Sequence, residues 1–95
     1  MKYVRLISSP LISKKYRVKF EDGRHVDFGA RGYSDYTMHK DDVRRAAYIR
    51  RHMARENWKD VYTAGFWSRW LLWEKKTIKE AKENITRRFS IRFRN

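Results

Sequence analysis

The chain has 95 residues, with 24 Lys+Arg against 11 Asp+Glu, a formal net charge of +13 and no cysteine. That is enough chain for one domain. It is too short for a barrel enzyme or a dinucleotide fold with a substrate domain, and disulfides, thiolate zinc sites, iron–sulfur clusters and a cysteine nucleophile are excluded.

Aromatic residues make up 16% of the chain, whereas disordered basic tails are poor in them. The reading is a single folded basic domain over 1–95. The first third reads as strands. Tyr3, Arg5 and Ile7 alternate with Val4 and Leu6, and Ser8-Ser9-Pro10 stops the run with turn chemistry. Tyr16, Val18 and Phe20 alternate with Lys15, Arg17 and Lys19, which predicts a half-buried strand with a basic outer face. Val26 and Phe28 alternate with His25 and Asp27. A two-residue Asp22-Gly23 loop would set Phe20 opposite His25 and mix the faces. A three-residue Glu21-Asp22-Gly23 loop sets Val18 opposite Val26 and Tyr16 opposite Phe28, with Gly23 in the left-handed position of a bulge-type hairpin. The three-residue loop is the one expected. Gly29 to Met38 then reads as a loop.

Asp41 and Asp42 sit at a helix start, where carboxylates favour the positive end of the dipole. The helix expected from about Asp41 to Arg55 is two-faced. Val43, Ala46, Ala47, Ile49, Met53 and Ala54 fall within roughly 160° of arc. Arg44, Arg45, Tyr48, Arg51, His52 and Arg55 take the opposite side. All four tryptophans lie within 58–73. Thr63 is placed to cap a short helix through Trp73, on which Trp67, Trp70 and Trp73 lie near one side. Thr77 with Glu80 forms a capping box ahead of Ile78, Ala81, Ile85 and Phe89 at helical spacing. Phe89, Ile91 and Phe93 then alternate with Ser90, Arg92 and Arg94, in a last strand or an extended arm. The fold expected is α+β: a small antiparallel β-hairpin sheet at the N-terminus packed against two or three helices.

Catalytic signals are weak. Ser68 in Gly65-Phe66-Trp67-Ser68-Arg69 lacks the nucleophile-elbow spacing, and no glycine-rich phosphate loop is present. His39 beside Asp41 and Asp42 falls short of three or four converging metal ligands. A non-enzyme is expected, with no cofactor, no metal and no small-molecule substrate. The basic residues carry more. Arg44, Arg45, Arg51 and Arg55 on one helical side, near Lys15, Arg17 and Lys19 on a strand, are the expected contacts to nucleic acid or to an acidic protein partner. Like charges at helical spacing with no acid between them repel until something anionic offsets them. Trp67, Arg69, Trp70 and Trp73 are expected as core or interface anchors, since large aromatics fill small cores and Trp and Arg are enriched in hot spots. The longest uncharged runs, 6–13 and 61–68, are eight residues each. A membrane span needs roughly 20 apolar residues, so none is expected.

Several strings in the chain carry a resemblance: Phe28-Gly29, Gly32, Asp35-Tyr36-Thr37, His39-Lys40-Asp41, Arg44-Arg45, Tyr48, Arg51-His52, Trp58 and Thr63 to Trp73, most specifically Gly65-Phe66-Trp67-Ser68-Arg69-Trp70-Leu71-Leu72-Trp73. Over about residues 14–78 the chain resembles small uncharacterised proteins of large nucleocytoplasmic DNA viruses. The resemblance implies a protein of the virion, present in the host cytoplasm or nucleus during assembly, without enzyme activity. Two roles fit it. The leading one is a minor capsid protein that binds other viral capsid proteins through the Trp/Arg-rich stretch and through chain ends that could serve as docking arms, 1–13 and 89–95. The other is a sequence-independent double-stranded DNA-binding protein of the packaged genome.

Overall fold

The computed structural model describes residues 2–94. Three strands open the chain where the alternation requires them: β1 (Lys2–Ser8), β2 (Lys14–Phe20) and β3 (His25–Ala30). β2 and β3 pair antiparallel with Val18 opposite Val26 and Tyr16 opposite Phe28, so the three-residue loop is the one formed. The Phe20 N–H donates to the Arg24 carbonyl (2.9 Å) and the Gly23 N–H to the Phe20 carbonyl (3.1 Å). Gly23 has φ +91°, a conformation that penalises any side chain. β1 pairs antiparallel with β2, with Val4 opposite Phe20 and Leu6 opposite Val18.

The stretch expected as a loop after Gly29 holds a short helix, α1 (Tyr36–His39), whose N-cap Asp35 accepts a hydrogen bond from the Thr37 N–H. Four residues carry no periodicity, so the cap was its only mark in the sequence. α2 (Asp42–His52) begins where the Asp41 carboxylate accepts from the Val43 and Arg44 N–H groups. α3 (Ala64–Trp67) is capped by Thr63 and runs directly into a π-helical turn, Ser68–Leu72. α4 (Ile78–Phe89) is capped by Thr77, whose hydroxyl accepts from the Glu80 N–H (3.1 Å). The chain then enters β4 (Ile91–Arg94), parallel to β1.

The strand order is β3-β2-β1-β4. The sheet is therefore mixed rather than purely antiparallel. Two chain ends that run the same way can pair only after a crossover, and the helical half of the chain makes it. Within the stretches expected as possible docking arms, residues 2–5 and 91–94 pair with each other: Val4 lies opposite Phe93, and Ile91 is 1% exposed. Met1 and Asn95 lie outside the described residues. The intervening 9–13 stretch is pinned by Ser9, whose hydroxyl donates to Asp27 (2.7 Å).

One face of the sheet carries the core. Val4, Val18, Phe20, Val26, Phe28 and Ile91 meet Phe66, Trp67, Leu71, Leu72, Ala81 and Ile85. The three later tryptophans do not share one side, because the wider π turn rotates successive side chains away from α-helical register. Trp67 is fully buried against Phe20, Phe28 and Phe93. Trp70 meets Phe89 edge-on at 5.3 Å. Trp73 stacks on Tyr48 at 4.2 Å with ring planes 1° apart.

That stack rotates α2 away from the expected orientation, with Arg44, Arg51 and Arg55 still exposed and Ala47 and Ile49 only half-buried. Tyr48 is buried, while Val43 is 78% and Met53 61% exposed. Two aromatic faces in contact, with Arg45 paired beside them, outweigh the burial of small aliphatic groups.

Candidate nucleic-acid interface

The strand alternation that sends Val4, Val18 and Phe20 inward sends Arg5, Arg17 and Lys19 to the other face of the sheet. Arg5, Lys19, His25, Arg92 and Arg94 are exposed there. The register aligns them. His25 lies opposite Lys19, Lys19 opposite Arg5, and Arg5 opposite Arg94, one row of basic side chains across all four strands. Neighbouring strands are about 4.8 Å apart, so the row is about 14 Å long. Arg92 follows one row over, opposite Tyr3.

Lys19, Arg5 and Arg94 are like charges directly opposite one another, which destabilises a sheet, and the face is only partly neutralised; His25, 3.6 Å from Asp27, adds charge only when protonated. Arg17 makes two hydrogen bonds to Asp27 (2.9 and 3.0 Å). The Arg17 hydrogen bond, helped by the Ser9 hydroxyl and opposed by some burial, holds the Asp27 carboxyl below its ordinary range. Arg94 lies 3.5 Å from Glu21, with its guanidinium 4.3 Å from the centre of the Tyr3 ring. Arg5, Lys19 and Arg92 form no ion pair with a carboxylate among the described residues. Tyr3, Arg5, Lys19, Glu21 and Arg94 border a hollow of about 320 Å³ on this row.

The single basic patch expected from the sequence is divided by the fold. Arg17 and Lys19 lie on the open sheet face. Lys15 turns to Asp35 at 2.7 Å. Arg45 turns inward: it donates to the Trp73 carbonyl (2.9 Å) and pairs with Glu74 (2.7 Å). Arg55 is exposed beyond the end of α2. Arg44 and Arg51 border a separate cleft of about 580 Å³ between α2, the start of β2 and the end of β3. Tyr48 and Trp73 line the same cleft, and burial pushes the Tyr48 hydroxyl up to about 12.

Of the expected anchors, Trp67 and Arg69 are interior. Arg69 is 8% exposed; it pairs with Glu74 at 2.7 Å and lies 4.4 Å from the Trp70 ring centre and 5.1 Å from that of Trp58. Glu74 thus sits between two guanidiniums. Burial pushes its carboxyl up, but Arg69 and Arg45 outweigh burial and hold it below the ordinary value. Trp70 and Trp73 are partly exposed. His39 accepts a hydrogen bond at Nδ1 from the Asp41 N–H (2.9 Å). Among the described residues no group of three or more His, Cys, Asp and Glu could hold a metal ion. No helix among them is long and apolar enough to cross a membrane.

Sequence reasoning passed over Arg5, Arg92 and Arg94. Each alternates with apolar residues in its own strand, which was visible. That β4 lies beside β1 was not, and only this pairing makes the three one surface.

No curated protein and no solved structure matches the chain. The matched family segment runs from β1 to the end of α2, covering three of the four strands and the helix beside the cleft. Residues 4–52 match the model of DUF5754, a family of unknown function, and the chain belongs to that family.

Proposed function

We propose that this protein is a non-enzymatic, sequence-independent nucleic-acid-binding module whose contact surface is the open sheet face. In the large DNA virus that the resemblance implies, its partner is double-stranded genomic DNA. The observation that carries this reading is the cross-strand row His25, Lys19, Arg5 and Arg94. A folded domain bears the repulsion of such a row at some cost to stability, and a phosphate backbone removes it. Lys and Arg contacts to phosphate position a protein without reading bases, so binding is indifferent to sequence.

A minor capsid role is less well supported by the geometry. Trp67 and Arg69 are interior, and the ends that would serve as arms are strands of the sheet. The test is a titration of a short labelled DNA duplex across a salt series. With three to four phosphates contacted, the logarithm of the binding constant should fall against the logarithm of salt with a slope of about −3. Binding should be equal for unrelated sequences. A shallow slope, or strong preference for one sequence, contradicts the reading.

A further inference from the structure

The cleft beside α2 is a second site of different chemistry from the sheet face. Its walls come from the start of β2, one side of α2 and the Tyr48–Trp73 stack. Lys14, Arg44 and Arg51 all border it, and none forms an ion pair with a carboxylate among the described residues. Their sequence neighbours show that this is selective. Lys15, next to Lys14, is matched to Asp35, and Arg45, next to Arg44, is matched to Glu74, each at 2.7 Å. The acids of the cleft do not offset the three cations. Asp35 is committed to Lys15 and to the Thr37 N–H, and Glu56, 3.8 Å from His52 Nδ1, is one carboxylate against three cations.

Small side chains keep the space open. Ala47 and Gly65 line it, and the Glu56 carboxylate takes the place that a Cβ at Gly65 would occupy. A volume of about 580 Å³ falls in the range of small-molecule sites, roughly 300–1,000 Å³. It far exceeds what one inorganic ion fills. We infer that this cleft binds a phosphorylated small molecule of nucleotide size, with its phosphates on Lys14, Arg44 and Arg51. Arginine guanidiniums and a lysine ammonium supply the charge-assisted donors that phosphate oxygens require. Phosphate oxygens could also come from a DNA strand, so the test separates the two sources.

ATP is titrated by calorimetry at physiological salt into the unaltered protein, an Arg44→Ala/Arg51→Ala variant and an Arg5→Glu/Lys19→Glu variant. Near-ultraviolet circular dichroism checks that each variant keeps the Tyr48–Trp73 stack. Saturable one-to-one binding is expected in the unaltered protein and in the sheet-face variant. It should weaken about ten-fold or more in the cleft variant. No saturable binding, or binding unchanged by the cleft substitutions, overturns the site. So does a loss in the sheet-face variant, which would mean that net charge alone attracts ATP. A cleft variant that loses duplex affinity while ATP never binds would assign these cations to DNA instead. The duplex titration of the sheet-face variant fails or succeeds independently of all these outcomes.

Discussion

Glu74 is the carboxylate on which the buried Arg69 depends. It neutralises Arg45 and Arg69 together, and Arg69 is nearly excluded from solvent. Removing its charge leaves a buried guanidinium without its partner. Glu74→Gln should destabilise the fold by about 2 kcal/mol, below the cost of breaking a fully buried pair because solvent still reaches part of the cluster. The pH dependence has a definite sign. The carboxyls of Glu74 and Asp27 titrate lower in the folded state than in the unfolded chain. Their contribution is therefore complete above the ordinary carboxylate range and is lost as pH falls through the lowered values. Denaturant unfolding at neutral pH and below the ordinary carboxylate range should show a smaller acid-induced loss in Glu74→Gln than in the unaltered chain. An equal loss would mean that Glu74 does not contribute. None of this was legible in the sequence. Arg45 read as one more surface arginine, and nothing in the spacing linked it to a glutamate 29 positions later.

At the scale of elements, local signals were read well and long-range ones poorly. The β2–β3 register followed from face matching alone, and the caps at Asp41, Thr63 and Thr77 are where their side chains indicated. Hydrophobicity alone misorients α2, because it counts Val43 and Met53 as apolar but cannot see that Trp73 stacks on Tyr48. The π turn was also invisible, and it directs Trp70 and Trp73 away from Trp67. Two predictions belong here. Arg5 sits between Lys19 and Arg94. Arg5→Thr relieves two like-charge contacts with a residue suited to strands. It should raise the Tm by about 2–4 °C while weakening duplex binding, and a fall in both would count against the row as a binding surface bought at some cost in stability. Truncation after Phe89 removes β4 with Ile91 and Phe93 from the packed face. Loss of these two side chains and of the β1–β4 ladder should abolish cooperative unfolding, as followed by circular dichroism. A truncated chain that still unfolds cooperatively would restore the view of this end as a dispensable arm.

For the whole molecule, the distribution of charge matters more than its sum. Only Lys15, Arg17, Arg24, Arg45, Arg69 and Arg94 of the 24 Lys and Arg side chains pair with a carboxylate among the described residues. Any polyanion is attracted to such a surface, so weak binding at low salt says little about a site. The distinguishing question is whether the sheet face binds better than other exposed basic surface. α4 and the segment before it supply the control, because Lys76, Lys79 and Arg87 are exposed there and pair with no carboxylate among the described residues. The decisive measurement compares two variants of identical net charge, Arg5→Glu/Lys19→Glu/Arg92→Glu and Lys76→Glu/Lys79→Glu/Arg87→Glu, for duplex affinity across a salt series. The sheet-face variant should lose nearly all affinity at physiological salt and reduce the salt slope by about 3, while the second variant stays close to the unaltered protein. Equal losses in the two variants would contradict a dedicated interface and leave only nonspecific attraction to a highly basic surface.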